Sequence, residues 1–253
     1  MINLQNISFY YETNLALNNI NLSIDNGEKV VLLGNNGCGK STLLKLLAAL
    51  VYPKSGKYYY NNTEITKKYL KKEQKNFRRD FAILFQNPDA MLFNPTVKDE
   101  IAFGLDEFNI ENSVENITKQ FNIEHLLNKS PLKLSGGEKQ KVALAAIFAV
   151  EPKILLLDEP TANLDPKSTG WLVDFLSELD ITVIISTHNL SLAYELGTRA
   201  VVLDETHQII YDGDFDTLYK NEDLLYRANL IHKHKHKHNG VEHSHFHIHN
   251  WSK

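Results

Sequence analysis

Residues 34–41 read Gly34-Asn35-Asn36-Gly37-Cys38-Gly39-Lys40-Ser41, with Thr42 next. The spacing is G-x-x-x-x-G-K-[ST], a loop whose chemistry is phosphate binding when a strand precedes it and a helix follows. Both neighbours are legible. Lys29-Val-Val-Leu-Leu33 is a short apolar run that predicts a buried strand. Downstream, Leu43, Leu44, Leu46, Leu47 and Leu50 recur at helical spacing before Pro53, which predicts a helix over 41–50. Glycines let such a loop curl until consecutive N–H groups face phosphate oxygens, and the helix start adds its positive dipole end. In this setting Gly34, Asn35, Asn36, Gly37, Cys38, Gly39, Lys40, Ser41 and Thr42 form a nucleotide cradle, Cys38 serving as a small filler. Lys40 reaches the β- and γ-phosphates and the Ser41 hydroxyl ligates Mg²⁺.

Working outward, residues 2–24 hold alternating or β-branched segments with Asn-rich turns, which predicts antiparallel strands. The basic stretch 67–79 predicts a helix with a solvated face. Residues 81–85 predict another strand, and 95–150 lose β character for helical patterns. Two further apolar runs, 153–157 and 181–186, end at Asp158-Glu159 and Thr187-His188, the strand ends where α/β sheets bind ligands. Buried carboxylates are costly without a cation or hydrogen bonds. Asp158 is therefore placed to hold Mg²⁺, and Glu159 to polarise an attacking water. A plain helix cap is the other reading of that pair.

The bulk composition narrows the class. With 253 residues, 43% hydrophobic and 23% charged, the chain can build a proper core. Its formal net charge is -4, and residues 232–253 carry +3 of it, leaving -7 for the rest. An acidic body gives no general attraction for nucleic acid. The single cysteine excludes an intrachain disulfide and fits a reducing compartment. No signal-peptide pattern opens the sequence, and the longest uncharged apolar run, 142–150, falls far below the ~20 residues of a spanning helix. Any membrane role is expected through a partner.

Leu134-Ser135-Gly136-Gly137-Glu138 resembles the LSGGQ signature of ABC transporter ATPases. Gln86 resembles the Q-loop glutamine, Asn163-Leu-Asp165 the D-loop, and His188 the switch histidine. Tyr11 resembles the aromatic that stacks on adenine, with Tyr10 as the other candidate. The elements occur in family order, and the likeness runs to about Asn229. It implies an ABC-type P-loop domain over 1–230, with a RecA-like α/β core, an N-terminal antiparallel β subdomain and a helical insertion at about 88–150. It also implies ATP and Mg²⁺, with Gln86 sensing Mg²⁺ and joining Ser41 and Asp158 around it. Glu159, His188 and Gln86 are the expected hydrolytic set. Ser135, Gly136, Gly137 and Glu138 would cap the ATP held by a second subunit, so a head-to-tail homodimer with two competent sites is expected. Two departures are Asn163, where small residues are commoner, and Asn189, where aspartate is usual.

The stretch from Gln86 to Gly104, QNPDAMLFNPTVKDEIAFG, resembles the ATPases of energy-coupling-factor importers. That likeness implies a peripheral place on the cytoplasmic face, a transmembrane scaffold received near Pro88–Val97, and a substrate-binding membrane subunit. The tail, 231–253, is histidine-rich and expected to be disordered. His232, His234, His236 and His238 alternate with lysines, and His243, His245, His247 and His249 alternate again. Residues two apart share a side in an extended chain, and imidazole suits Ni²⁺, Co²⁺, Cu²⁺ and Zn²⁺. Tails of this kind resemble those on nickel and cobalt importers. An expression tag and a merely solvated tail are the other readings. For the whole chain, the rivals to metal import are a vitamin importer of the same design and a soluble ABC ATPase in cofactor assembly.

Overall fold

The structure, a computed structural model, describes residues 1–162, 164–238 and 241–248, with the backbone alone described in 232–238 and 241–248. The chain divides into two compact units, Met1–Ile65 with the residues from Ile184 onward, and Thr66–Val183.

The first unit opens with strands β1 (Ile2–Tyr11) and β2 (Asn14–Ile24), an antiparallel pair as expected for 2–24. Alternation buries Ile2, Leu4, Ile7 and Phe9 on one strand and Leu17, Ile20, Leu22 and Ile24 on the other. Strand β3 (Lys29–Leu33) has Val30, Val31, Leu32 and Leu33 fully buried, and helix α1 (Lys40–Leu47) buries its four leucines. Strands β4 (Ser55–Tyr60) and β5 (Thr63–Glu64) complete a four-stranded antiparallel sheet in the order β2-β1-β4-β5. Tyr58 ties this sheet to α1 by donating its hydroxyl to the Leu47 carbonyl at 2.9 Å. Burial holds that hydroxyl well above its ordinary pKa.

The second unit is mostly helical. It contains α2 (Lys67–Asp80), β6 (Phe81–Leu84), α3 (Val97–Phe108), α4 (Val114–Gln120), α5 (Gly136–Phe148), β7 (Ile154–Asp158) and α6 (Pro166–Glu178). Helix α2 buries only Leu70 and Phe77, which matches the solvated basic face expected for it. Thr66, Thr96, Ser113, Ser135 and Asp165 each accept a backbone N–H at the start of the helix that follows, so all five of these helices have side-chain caps. Their core is aromatic: Phe121 is fully buried, and Phe175 lies 5.1 Å from both Phe121 and Phe148. Strands β6 and β7 pair in parallel, Phe81 opposite Ile154 and Leu84 opposite Leu157.

Strand β8 (Thr182–Thr187) leads the chain back into the first unit. There follow α7 (Leu190–Leu196), β9 (Arg199–Leu203), β10 (Ile209–Gly213), α8 (Phe215–Tyr219) and α9 (Glu222–Arg227). The strand order here is β10-β9-β3-β8, with β3 parallel to β9. Arg199 pins this end, forking onto Asp212 at 2.6 and 2.7 Å and reaching Glu28 at 3.0 Å.

From Ile231 the backbone runs as a hairpin of β11 (Ile231–His238) and β12 (Val241–Ile248). The physical basis is the period-two alternation itself, which suits an extended strand. The register sets His232 opposite His247, His234 opposite His245 and His236 opposite His243. His249 lies outside the described residues.

Candidate nucleotide site

The loop after β3 is shaped by its glycines. Gly34, Gly37 and Gly39 have φ of 145, 85 and 116°. At Gly34 a Cβ would stand 2.4 Å from the Leu203 carbonyl oxygen, and at Gly39 2.4 Å from that of Ala16. Only glycine lets the loop turn this close to β2 and β9. Asn35, Asn36 and Gly37 are exposed at its crest, whereas Gly34, Cys38, Gly39 and Lys40 are buried and Ser41 is half-buried. Gly39 is the N-cap of α1 and supplies no side-chain cap. Thr42 is buried within the first turn.

Lys40 is only 5% exposed, and its ammonium folds back to donate to the Gly34 carbonyl at 2.8 Å and the Asn35 carbonyl at 3.2 Å. A buried ammonium held over a curled loop is a ready partner for a phosphate. Burial pushes the Cys38 thiol up from its ordinary pKa, against the pull of Lys40, so this cysteine packs as a thiol. The sequence reading of Cys38 as filler agrees with its 2% exposure.

Elsewhere in the first unit, Tyr10 and Tyr11 are both exposed at the end of β1, and Tyr11 stands edge-on to Phe9 at 4.9 Å. His188 is exposed just past β8. Asn189, one of the two departures, accepts the Leu192 N–H at 3.2 Å and caps α7, which anchors the chain immediately after His188.

The second unit gathers the remaining candidates by contacts that spacing alone did not reveal. Asp158 and Glu159 are 7% and 8% exposed at the end of β7. Glu159 has φ 46°, a left-handed conformation uncommon for a residue with a Cβ. Gln140, buried in α5, donates to the Pro160 carbonyl at 3.1 Å, so the signature helix is fastened to the residue after the acid pair. Its polar side chain on a buried helix face was the available signal.

Ser135 begins α5 in a reciprocal box: its N–H and hydroxyl both donate to Glu138 at 2.8 and 2.9 Å, and its Oγ accepts the Glu138 N–H. The Ser135 N–H and hydroxyl hold the Glu138 carboxyl below its ordinary pKa. Gly136 opens that helix. A Cβ on Gly137 would meet the Ser168 Oγ at 2.6 Å, and Ser168 donates to Asp165 at 2.7 Å, which sets the signature beside the loop that ends at Asp165. Asn163 lies outside the described residues. Lys139 pairs with Asp89 at 2.6 Å, tying α5 to the segment that follows the exposed Gln86. In that segment Glu100, 5% exposed, accepts the N–H groups of Phe93 and Asn94 at 3.0 and 2.8 Å. Phe93 and Phe103 are left on the surface, edge to face at 5.4 Å.

A phosphate loop, a strand-end acid pair and a boxed Ser-Gly-Gly helix start define an ATP-binding cassette, and the chain belongs to the ABC transporter family, which residues 17–162 match. A putative ABC transporter ATP-binding protein of Methanosarcina acetivorans is 40% identical over 247 residues, covering 92% of this chain and 90% of that protein. The energy-coupling factor transporter ATP-binding protein EcfA of Methanothermobacter thermautotrophicus is 36% identical over 239 residues, covering 91% and 76%. Among solved structures, cbiO1 from Clostridium perfringens, part of the ABC transporter complex cbiONQ, is 33% identical with a TM-score of 0.75, covering 90% of this chain and 94% of that one. An ATP-binding cassette solved as a dimer in a post-hydrolysis state with ADP and Pi is 28% identical with a TM-score of 0.71, covering 85% and 99%.

The chain is an ABC ATPase, the ATP-binding subunit of a transport machine. Such ATPases bind ATP with Mg²⁺ and work as dimers with transmembrane partners. Among the described residues, no helix is long and apolar enough to cross a membrane.

Proposed function

We propose that this ATPase energises import of a transition-metal cation, nickel or cobalt, through a membrane partner complex, working as a homodimer on the cytoplasmic face. The observation that carries the cargo is the tail, where eight histidines between 232 and 249 alternate with other residues. Likeness to EcfA and to cbiO1 supports the kind of machine. In this reading residues 1–230 are the motor and 231–253 gather metal beside it without entering the catalysis.

The same reading assigns each side chain its chemistry. Residues 34–42 present N–H groups and the Lys40 ammonium to the phosphates, and Tyr11 stacks on adenine. Glu159 polarises the attacking water, and His188 contacts the γ-phosphate. Ser135, Gly136, Gly137 and Glu138 cap the nucleotide of the second copy, and likeness to a dimeric cassette with ADP and Pi supports this. Ser41, Gln86 and Asp158 offer a hydroxyl, an amide oxygen and a carboxylate, the hard donors Mg²⁺ takes. Bound by them, the ion would neutralise phosphate charge. Phe93, on a loop fixed by Glu100, meets Phe103 of α3, and this exposed pair is the surface offered to the membrane scaffold.

Accumulation of Ni²⁺, Co²⁺ and Zn²⁺ by cells carrying the native chain or Glu159→Gln tests the cargo. Loss of Ni²⁺ or Co²⁺ uptake alone is expected. Unchanged uptake of all three would overturn metal import and favour a vitamin or other cargo.

A further inference from the structure

A histidine outside every family element touches the phosphate loop. His207 lies in the turn between β9 and β10, half-buried, with its Nδ1 3.1 Å from the Cys38 carbonyl oxygen. A carbonyl only accepts, so Nδ1 carries the proton and donates. Cys38 is 2% exposed, and α1 begins its ladder one residue later, with Leu43 N–H donating to the Gly39 carbonyl. The Cys38 carbonyl therefore needs a donor from outside the helix, and His207 provides it.

The turn is held from three sides. The His207 carbonyl accepts the Asn18 N–H from β2 at 2.9 Å, and its own N–H donates to the Asp204 carbonyl at 3.0 Å. The Asp204 carboxylate accepts the Thr206 N–H at 3.0 Å, the Thr206 hydroxyl at 2.5 Å and Arg227 of α9 at 2.9 Å. His207 itself has φ 60°, the left-handed region where glycine or asparagine would be easier. An imidazole kept at such a position points to a use for its side chain.

We infer that His207 is a positioning residue for nucleotide binding, acting through the Cys38–Gly39 peptide. That peptide is planar and trans, so its C=O and N–H point in opposite directions. Holding the Cys38 carbonyl towards β9–β10 turns the Gly39 N–H the other way, towards the phosphates. The inference rests on the reading of residues 34–42 as the phosphate cradle.

The test is equilibrium ATP binding to the full chain without Mg²⁺, so that turnover does not intrude, with melting temperature measured in parallel. His207→Gly removes the donor and relieves the backbone. His207→Asn keeps both the left-handed backbone and an N–H donor near the Nδ1 position. The Gly variant should bind ATP about threefold to tenfold more weakly, the range of one net hydrogen bond. The Asn variant should recover most of that affinity. Native affinity in the Gly variant, or an Asn variant as weak as Gly, would overturn the inference. Lys40→Ala separates the two levels of the claim. If it binds ATP normally, the cradle reading falls and the inference with it; if it fails to bind while Gly binds normally, only the role of His207 falls.

Discussion

Ser135 shows how one residue links a local capping rule to the signature. Its hydroxyl accepts one N–H of α5 and donates to the Glu138 carboxylate, so removing it leaves the Glu138 N–H without its cap. Ser135→Ala should cost about 1 kcal/mol of stability, the usual worth of an N-cap. For a chain of this size that corresponds to a melting temperature about 2–4 °C lower, measurable by calorimetry or circular dichroism. Gly34, Gly39 and Lys40 were legible in the sequence because the loop chemistry fixes both residue type and spacing. Glu159 was legible as an acid at a strand end, but its left-handed backbone was not. Nor were the Gln140–Pro160 and His207–Cys38 contacts, 20 and 169 residues apart, since no local pattern encodes them.

Elements were readable where burial made them apolar. Strands β3, β7 and β8 were expected within a residue or two, because a fully buried strand needs an unbroken apolar run. Strands β4 and β5 escaped notice: Lys57 to Tyr60 is only partly buried, and its pairing with β1 is decided by tertiary contact. In the tail, composition offers no apolar face while the alternation suits strand pairing. Helix α9 is latched to the β9–β10 turn by Arg227 on Asp204. Burial would raise the Asp204 carboxyl, but bonds from Thr206 and Arg227 prevail and hold it below its ordinary pKa. A carboxyl lowered on folding stabilises the native state above its unfolded pKa, and that contribution drains away as pH falls through the folded value. Arg227→Ala should therefore lose at most about 1 kcal/mol near neutral pH, since Arg227 is largely exposed. Urea unfolding should show the gap between native and variant narrowing as the pH falls below about 3.9, the ordinary aspartate value. A gap that widened on acidification would assign the loss to something other than this pair.

At the scale of the whole molecule, the nucleotide chemistry belongs to the family, and the proposed cargo rests on the tail. The phosphate cradle, the acid pair and the signature reach across most of the chain, whereas nothing in them distinguishes a metal from a vitamin. The proposed docking surface is Phe93 with Phe103, whose exposure of 69% and 53% is high for a packed aromatic pair. Hydrolysis comes before either, and Glu159 is the residue proposed to polarise its attacking water. The most direct measurement is phosphate release by the purified full chain beside Glu159→Gln, with ATP binding measured on both. Glu159→Gln should bind ATP as the native chain does while phosphate release falls by at least about a hundredfold, the lower range for loss of a general base. Native turnover in that variant would contradict the role given to Glu159 and, with it, the account of the site.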